Sequence, residues 1–471
     1  MKVLLIKPPI NKISILGDSL IEPLELEILA ATIPGHNCRI LDMRIDTDLK
    51  STLEEFKPDL VGLTSYTTEV PAVRSLLHGI KSSMPESFTV VGGCHASARP
   101  EDFHLPGVDA VAVGNGERIF PALVGKLSKG EDPLEVRGLW GRKGDGFVFT
   151  GEADPIKDLN GFPAPNRHLT QGYRHLYYFG SNRPAAAVMT SRGCPFRCSF
   201  CSIWRIMQGR YLLRDPGKVA QELSGVREKH VFIADDNTLS HARHAEALFS
   251  VIRDSGIRKS YKMYGRADAI VARPDLIEKW RSIGLTTVIM GLESFQDKRL
   301  AMFNKKSTVA IQNQAIRILK EHDVRIRAYF IVDPDFSRQD FEDLMAYVHK
   351  EGINEPMFSI LTPFPGTDFY DEVQEKLVSN RYEFFDLLHA LLPTKLRRKE
   401  FYRRFSSLYR RSYPLRKILS AQTVPVRAGT FLKCCASYVK FRSVTLRMKN
   451  AYKMEEKIHA ETRAHQPGIR P

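Results

Sequence analysis

The sequence predicts an α/β protein made of two successive parallel-sheet units followed by a basic helical C-terminal region. Three observations carry this reading. Apolar strand-like runs recur through residues 1–125 with helix-like spacing between them. Six further strand-plus-helix units, each about 30 residues long, fill residues 184–370 and predict a partial (βα)6 barrel. After residue 380 the pattern becomes an amphipathic helix with a large excess of Lys and Arg. The expected boundaries are 1–130, a linker at 131–183, the barrel at 184–380 and the basic region at 381–471.

In the first unit, VLLIKPP (3–9) is an apolar strand ending at proline, and 23–33 has helical spacing. CRILDM (38–43), LVGLTSY (60–66), FTVVGG (88–93) and DAVAVGNGE (109–117) are the next strands. Continuous apolar strands alternating with helices mean a parallel sheet covered on both faces. Two of these strands end in glycines, at Gly92-Gly93 and Gly114-Asn115-Gly116, and a third runs into the polar loop Thr64-Ser65-Tyr66-Thr67-Thr68. Strand C-termini are where open α/β sheets bind ligands, so these ends predict a ligand crevice. The plainer alternative is that the glycines only permit tight turns. Residues 130–183, with scattered Pro and Gly, read as an irregular linker.

In the second unit the strand candidates are 186–193, 230–237, 261–268, 286–294, 324–333 and 356–366, with helices such as 275–284 and 307–322 between them. Their C-terminal ends carry Asp235-Asp236-Asn237, Arg266-Ala267-Asp268, Glu293-Ser294, Asp333 and Thr362. Polar residues at that end of a barrel line its active site.

Composition narrows the function classes. A chain of 471 residues is too long for one ordinary core. Seven cysteines, unevenly spaced, do not form a disulfide framework and fit a reducing cytoplasm. The opening MKVLLIKPPI is broken by Lys7 and two prolines and reads as a buried strand rather than a leader. No run of 18 apolar residues predicts a membrane span. The net charge of +15 lies wholly in residues 381–471, which hold 21 Lys and Arg against 6 Asp and Glu.

The most specific chemical signal is Ser191-Arg-Gly-Cys194-Pro-Phe-Arg-Cys198-Ser-Phe-Cys201-Ser-Ile-Trp204. Three thiolates in a Cys-x3-Cys-x2-Cys loop can wrap one corner of a [4Fe–4S] cubane. Clusters usually take four cysteines, so three leave one iron open to a small ligand. S-adenosylmethionine (SAM) is the ligand this spacing points to. Its cleavage by one electron yields a radical, chemistry that the bound cofactors carry while the protein orients them. A zinc site would normally add a second Cys pair or His ligands, and three structural thiols are the remaining alternative. Phe200 and Trp204 read as shields of the cluster or as ordinary core. Cys38, Cys94, Cys434 and Cys435 lack such spacing and read as non-ligands.

With these residues in place, the chain resembles the cobalamin-dependent radical SAM enzymes along nearly its whole length. The resemblance rests on the PP turn at 8–9, VGGCHAS (91–97), VGNGE (113–117), the Cys motif, GRAD (265–268), GLES (291–294) and FPGT (364–367). Within that family it is most similar to the hopanoid C-3 methylase type, through GCPFRCSFCSIW, FIADD (232–236), FIVDPDF (330–336) and DLLHALLPTKL (386–396). The resemblance implies a Rossmann-like cobalamin-binding domain, a radical SAM barrel and a C-terminal helical region. It implies methyl transfer to an unactivated carbon, through a 5′-deoxyadenosyl radical and methylcobalamin, on a small-molecule or lipid substrate. Some relatives instead catalyse rearrangement or cyclisation. An external one-electron donor such as flavodoxin or ferredoxin is implied as a partner.

Site roles follow from matching positions. The resemblance implies that Cys194, Cys198 and Cys201 bind the cluster. It places Asp235, Asp236, Arg266 and Glu293 around SAM, where Arg266 would pair with the SAM carboxylate. It makes Thr64, Ser65, Gly92, Gly93, His95, Gly114, Gly116 and Glu117 candidate cobalamin contacts. Two departures stand out. The usual Gly-Glu-Gly-Glu reads Gly114-Asn115-Gly116-Glu117. The spacing Asp102-x-His104-x-x-Gly107 matches a cobalamin His-ligand motif but follows the wrong strand, so it is read as chance. His95 is the remaining conceivable axial ligand, although a loop His is more often a hydrogen-bonding residue.

The basic region fits a solvated helical face, an anionic membrane surface or nucleic acid, and the resemblance favours membrane over nucleic acid. In KEFYRRFSSLYRRSY (399–413), Phe401, Phe405, Leu408 and Tyr409 share one helical face. A second helix is expected at about 427–460, after Pro414 ends the first. The expected location is the cytoplasm, peripheral to the inner face of the membrane.

Overall fold

A computed structural model describes residues 1–10 and 19–413, which form two parallel-sheet units joined by a buried ionic seam. The first sheet runs Asn37–Asp42, Lys2–Lys7, Leu60–Thr64, Phe88–Gly92, Ala110–Ala112, Leu139–Lys143, Gly146–Phe149. Its first five strands are parallel and the last two antiparallel. Both faces are buried. Leu4 and Ile6 point into a core closed by helices Leu49–Phe56 and Val70–Ser83. Val3 and Leu5 point into a second core closed by Leu24–Ala31 and Gly116–Ser128. That two-sided burial is why the strand reads as a continuous apolar run.

The second sheet has six parallel strands in chain order: Ala185–Val188, His230–Ile233, Ser260–Tyr264, Leu285–Glu293, Arg325–Val332 and Glu355–Ile360. Its outward side chains join the outer helices in one large core that includes Trp280, Phe330 and Phe358. Inside, the strand N-termini are closed by Phe179, stacked on Phe232 with ring centres 4.7 Å apart. Lys262 donates to the Phe179 carbonyl at 3.2 Å, and the Arg327 guanidinium lies 5.2 Å from the Phe179 ring centre. Among the described residues, Phe179 thus caps the strand N-terminal end of the interior. Above the floor it is lined by Ile289, Tyr264 and Tyr329.

Residues 131–183 correct the expected irregular linker. Leu139–Lys143 and Gly146–Phe149 form a hairpin that extends the first sheet, with Lys143 paired to Gly146 across the turn Gly144-Asp145. The rest of the segment is an ionic seam. Arg167 pairs with Glu22 and, at 2.6 Å, with Glu222. Arg174 pairs with Glu22 at 2.9 Å and with Glu228 at 2.5 Å. Glu22 belongs to the first unit, Glu222 and Glu228 to the second.

Residues 381–413 pack on the barrel. In the helix Arg398–Ser412 the expected face is buried, with Phe401, Tyr402, Phe405, Leu408 and Tyr409 in the barrel core. The Tyr409 hydroxyl accepts from Phe358 N at 3.0 Å and donates to the Phe358 carbonyl. This aromatic stripe faces protein rather than lipid. No helix among the described residues is long and apolar enough to cross a membrane. Pro414, the expected helix at 427–460 and Cys434 and Cys435 lie outside the described residues.

Candidate active site between the two sheets

The cysteine loop begins on a short strand, Ser191–Gly193, paired antiparallel with Tyr211–Leu213. Asp235, at the end of the second barrel strand, fixes its start. Oδ1 accepts from Thr190 N at 2.6 Å and Ser191 N at 3.0 Å, and Oδ2 from the hydroxyls of Thr190 and Ser191. Burial holds the Asp235 carboxyl up, at about 6, against these four donors. The expected SAM contact is thereby corrected: Asp235 is buried behind the loop with its lone pairs taken. Asp236 differs. It is exposed toward the crevice and accepts from Gly193 N at 2.7 Å through one oxygen.

Cys198 is buried, and Cys194 and Cys201 are half-buried. Burial pushes the Cys201 thiol up to about 12, and the neighbouring Cys198 and Cys194 sulfurs push the same way. The three sulfurs thus feel one another. Yet among the described residues no three Cys, His, Asp or Glu side chains converge on a single-ion site. Three cysteines leave one iron of a cubane open, whereas a structural zinc takes four ligands. The donor set fits a cluster held through three thiolates, with metal displacing the protons.

Burial pushes the Cys198 thiol up, while the Lys305 and Arg266 charges pull it down and the Glu293 carboxylate pushes it up. Arg266 lies over Phe196 of the cysteine loop, 3.5 Å from the ring centre, and pairs with Asp268 at 3.0 Å. Glu293 accepts from Lys305 Nζ at 2.8 Å. Its φ of 62° is the left-handed region that favours glycine, at a register shift between Gly291 and Glu293. Its carboxylate folds back over Gly291, where a Cβ would sit 2.2 Å from Oε1. A non-Gly residue held there is a constrained backbone position. Lys305 was not foreseen, because it comes from the turn after the helix Asp297–Met302, twelve residues beyond Glu293. Asp333 pairs with Arg299 at 2.7 Å, and the Thr362 hydroxyl donates to the Ile360 carbonyl at 2.9 Å.

The glycine-rich end of the first sheet faces this mouth. Burial pushes the Cys94 thiol up; Arg192 pulls it down and Asp236 pushes it up. Arg192 also pairs with Glu117 at 2.5 Å, so one ion pair joins the two crevices. At Gly93, with φ 101°, a Cβ would lie 2.8 Å from Ser65 N and Thr64 Oγ1. Gly114, with φ 98°, has no atom within 4 Å of a Cβ and borders open space, whereas Gly92 abuts Ala112. Tyr66, 49% exposed and with its ring centre 4.6 Å from Lys7 Nζ, lies at the same end, within the polar loop that the sequence marked as a crevice edge.

Three of the expected cobalamin contacts have partners within the chain. His95 is buried: Nδ1 lies 3.2 Å from Thr67 Oγ1 and Nε2 2.9 Å from Asp102 Oδ2, so both ring nitrogens have partners within the chain. Ser65 is fully buried and donates to the Tyr66 carbonyl at 3.1 Å. Gly116 packs against Leu29, 3.3 Å from where its Cβ would be. His104 stacks on Phe147 with ring centres 4.4 Å apart, on the hairpin, consistent with a chance motif match. What remains is a crevice edged by Thr64, Tyr66, Gly92, Gly93 and Gly114, opposite the cysteines. It fits a large planar cofactor laid on the sheet end.

The comparisons agree with this geometry. Residues 17–124 match the B12 binding domain profile and residues 188–369 the Radical SAM superfamily profile. The chain is 31% identical over 394 residues to hopanoid C-3 methylase of Methylococcus capsulatus, covering 81% of this chain and 74% of that protein. It is 28% identical over 378 residues to the anaerobic magnesium-protoporphyrin IX monomethyl ester cyclase of Cereibacter sphaeroides, covering 78% of this chain and 61% of that protein. Among solved structures, the fold matches the cobalamin-dependent S-adenosylmethionine radical enzyme OxsB at TM-score 0.73 and 16% identity, over 94% of this chain and 71% of that one. It also matches the radical S-adenosylmethionine methyltransferase TsrM from Kitasatospora setae at TM-score 0.63 and 20% identity, over 79% and 78%. Two matched domains in that order, over a shared site, show that this chain belongs to the cobalamin-dependent radical S-adenosylmethionine enzymes.

Proposed function

We propose that this enzyme is a C-methyltransferase acting on an unactivated carbon of an apolar, hopanoid-like lipid. The observation that carries the reading is the 31% identity to hopanoid C-3 methylase across both domains. The barrel interior is compatible with it: above the Phe179 floor, Ile289, Tyr264 and Tyr329 line a largely apolar space beneath the charged ring. An sp3 carbon in such a space offers no handle to an acid, base or nucleophile, which requires radical chemistry.

When bound, the cluster, SAM and cobalamin supply the hydrogen-abstracting radical and the methyl group. The chain's part is to hold and orient them. Cys194, Cys198 and Cys201 hold the cluster, with Asp235 and Asp236 fixing the strand that leads into the loop. Arg266 and Lys305 would hold the carboxylate end of SAM, and Asp236 and Glu293 its amino group. Thr64, Gly92, Gly93 and Gly114, with Tyr66, edge the cobalamin. The Phe179 floor keeps water out of the far end of the barrel.

The cyclase relative favours a second reading, cyclisation or rearrangement without net methyl transfer. Anaerobic reaction of the reconstituted enzyme with a hopanoid extract separates the two. Methylation predicts S-adenosylhomocysteine together with 5′-deoxyadenosine and a lipid heavier by one methylene. Deoxyadenosine alone with an unmethylated, altered product supports the second reading and overturns the first.

A further inference from the structure

The outer surface of the cysteine loop carries unneutralised positive charge. On the neighbouring short helix, Arg205 is paired with Asp368 and, at 2.7 Å, with Asp371. Arg197, between Cys194 and Cys198, is exposed, and its guanidinium lies 5.6 Å from the ring centre of Trp204. A turn at 301–306 is fastened alongside. Asn304 Nδ2 donates to the Arg197 carbonyl at 2.7 Å, and Ser199 N donates to the Phe303 carbonyl at 3.1 Å. This turn presents Met302, 54% exposed, and Lys306, while the helix entering it presents Lys298. No carboxylate among the described residues pairs with Arg197, Lys298 or Lys306. Residues 1–380 are balanced in charge overall, so the excess here is local. Beneath it, half-buried Trp204 donates from Nε1 to the Cys198 carbonyl at 3.3 Å.

We propose that Arg197, Lys298, Met302 and Lys306, with Trp204 behind them, form the docking surface for an acidic, soluble one-electron carrier protein. The proposal rests on the reading of Cys194, Cys198 and Cys201 as cluster ligands. An apolar spot rimmed by unpaired cations suits a transient partner of opposite charge: the charges speed encounter and the small apolar contact permits release. The chain's own C-terminal region is a poor occupant, because it is itself strongly basic. Docking here brings the carrier against the loop that contains the buried ligand Cys198. The transfer is balanced: the reduced carrier loses one electron, the oxidised cluster gains it, and no bond is made or broken in that step.

The test compares a protein donor with a small-molecule donor on the full-length, reconstituted enzyme. Formation of 5′-deoxyadenosine is measured with reduced flavodoxin and separately with dithionite, for wild type and for Lys298→Glu/Lys306→Glu. The expected result is a dithionite-driven rate within about twofold of wild type and a flavodoxin KM raised about tenfold. For wild type, that KM should rise steeply between about 0.05 and about 0.3 M salt, and the variant should have lost most of this dependence. Lys306→Gln, a milder change, should move the KM in the same direction if the double variant reconstitutes poorly. An unchanged flavodoxin KM in variants with normal dithionite-driven turnover overturns the docking surface alone. Wild type that never cleaves SAM with dithionite overturns the cluster reading and the docking surface with it.

Discussion

At the scale of single residues, the site depends on buried polar groups that hold the cysteine loop in place. Asp235 gathers two backbone amides and two hydroxyls, so Asp235→Ala leaves the Thr190 and Ser191 amides buried without an acceptor. A stability loss of about 3 kcal/mol and reduced iron uptake are predicted, read from urea midpoints and iron analysis. The pH dependence has a definite sign. Burial raises the folded carboxyl to about 6, so between about 4 and 6 the folded chain keeps a proton that the unfolded chain has released. Its contribution to stability therefore falls as pH rises through that window and levels off above it. Asp235→Asn, which cannot ionise, should flatten that part of the urea-midpoint profile relative to wild type. The cysteine motif was legible in the sequence because its ligands are contiguous. Lys305 was not, because only the fold brings the turn after the helix Asp297–Met302 back to Glu293. His95 and Ser65 misled for the converse reason: a polar residue at a strand end can turn inward to a local partner, as His95 does to Asp102.

At the scale of elements, strands buried on both faces and helices with one buried apolar face were read well. The parallel strands and the helix Arg398–Ser412 fall where apolar periodicity put them. The hairpin Leu139–Phe149 was missed because its strands are short and half-exposed, although the Gly144-Asp145 pair between them is a recognised two-residue turn signal. The C-terminal helix is expected to be structural. Phe401→Ala, in the barrel core, should cost about 3–5 kcal/mol in chemical denaturation. The Arg192–Glu117 pair ties the start of the cysteine strand to the first turn of the helix beyond Gly114. Arg192→Gln is therefore predicted to weaken hydroxocobalamin binding about fivefold by equilibrium titration, with partial recovery in the charge-swapped Arg192→Glu/Glu117→Arg enzyme.

At the scale of the whole molecule, the two sheets present their C-terminal ends to one another, which is what a methyl group passed between two cofactors requires. The seam of Glu22 with Arg167 and Arg174 holds that relation. Glu22→Gln leaves two buried arginines short of their shared carboxylate. A loss of about 3–5 kcal/mol is predicted, with protease cleavage appearing first within residues 161–183. The order of the two units was legible because each carries its own strand-and-helix rhythm; their mutual orientation was not, because it is set by acidic and basic residues up to 152 positions apart. All of this serves one claim, that three thiolates hold a cluster whose remaining iron takes up SAM. Electron-nuclear double resonance on the reduced, anaerobically reconstituted enzyme tests it most directly, using SAM labelled with 15N and 17O in its amino and carboxylate groups. The account predicts about four irons per chain and couplings from both labels to the cluster, lost together in Cys198→Ala. Zinc at these sulfurs, absence of iron, or a cluster that shows no coupling to labelled SAM would contradict it.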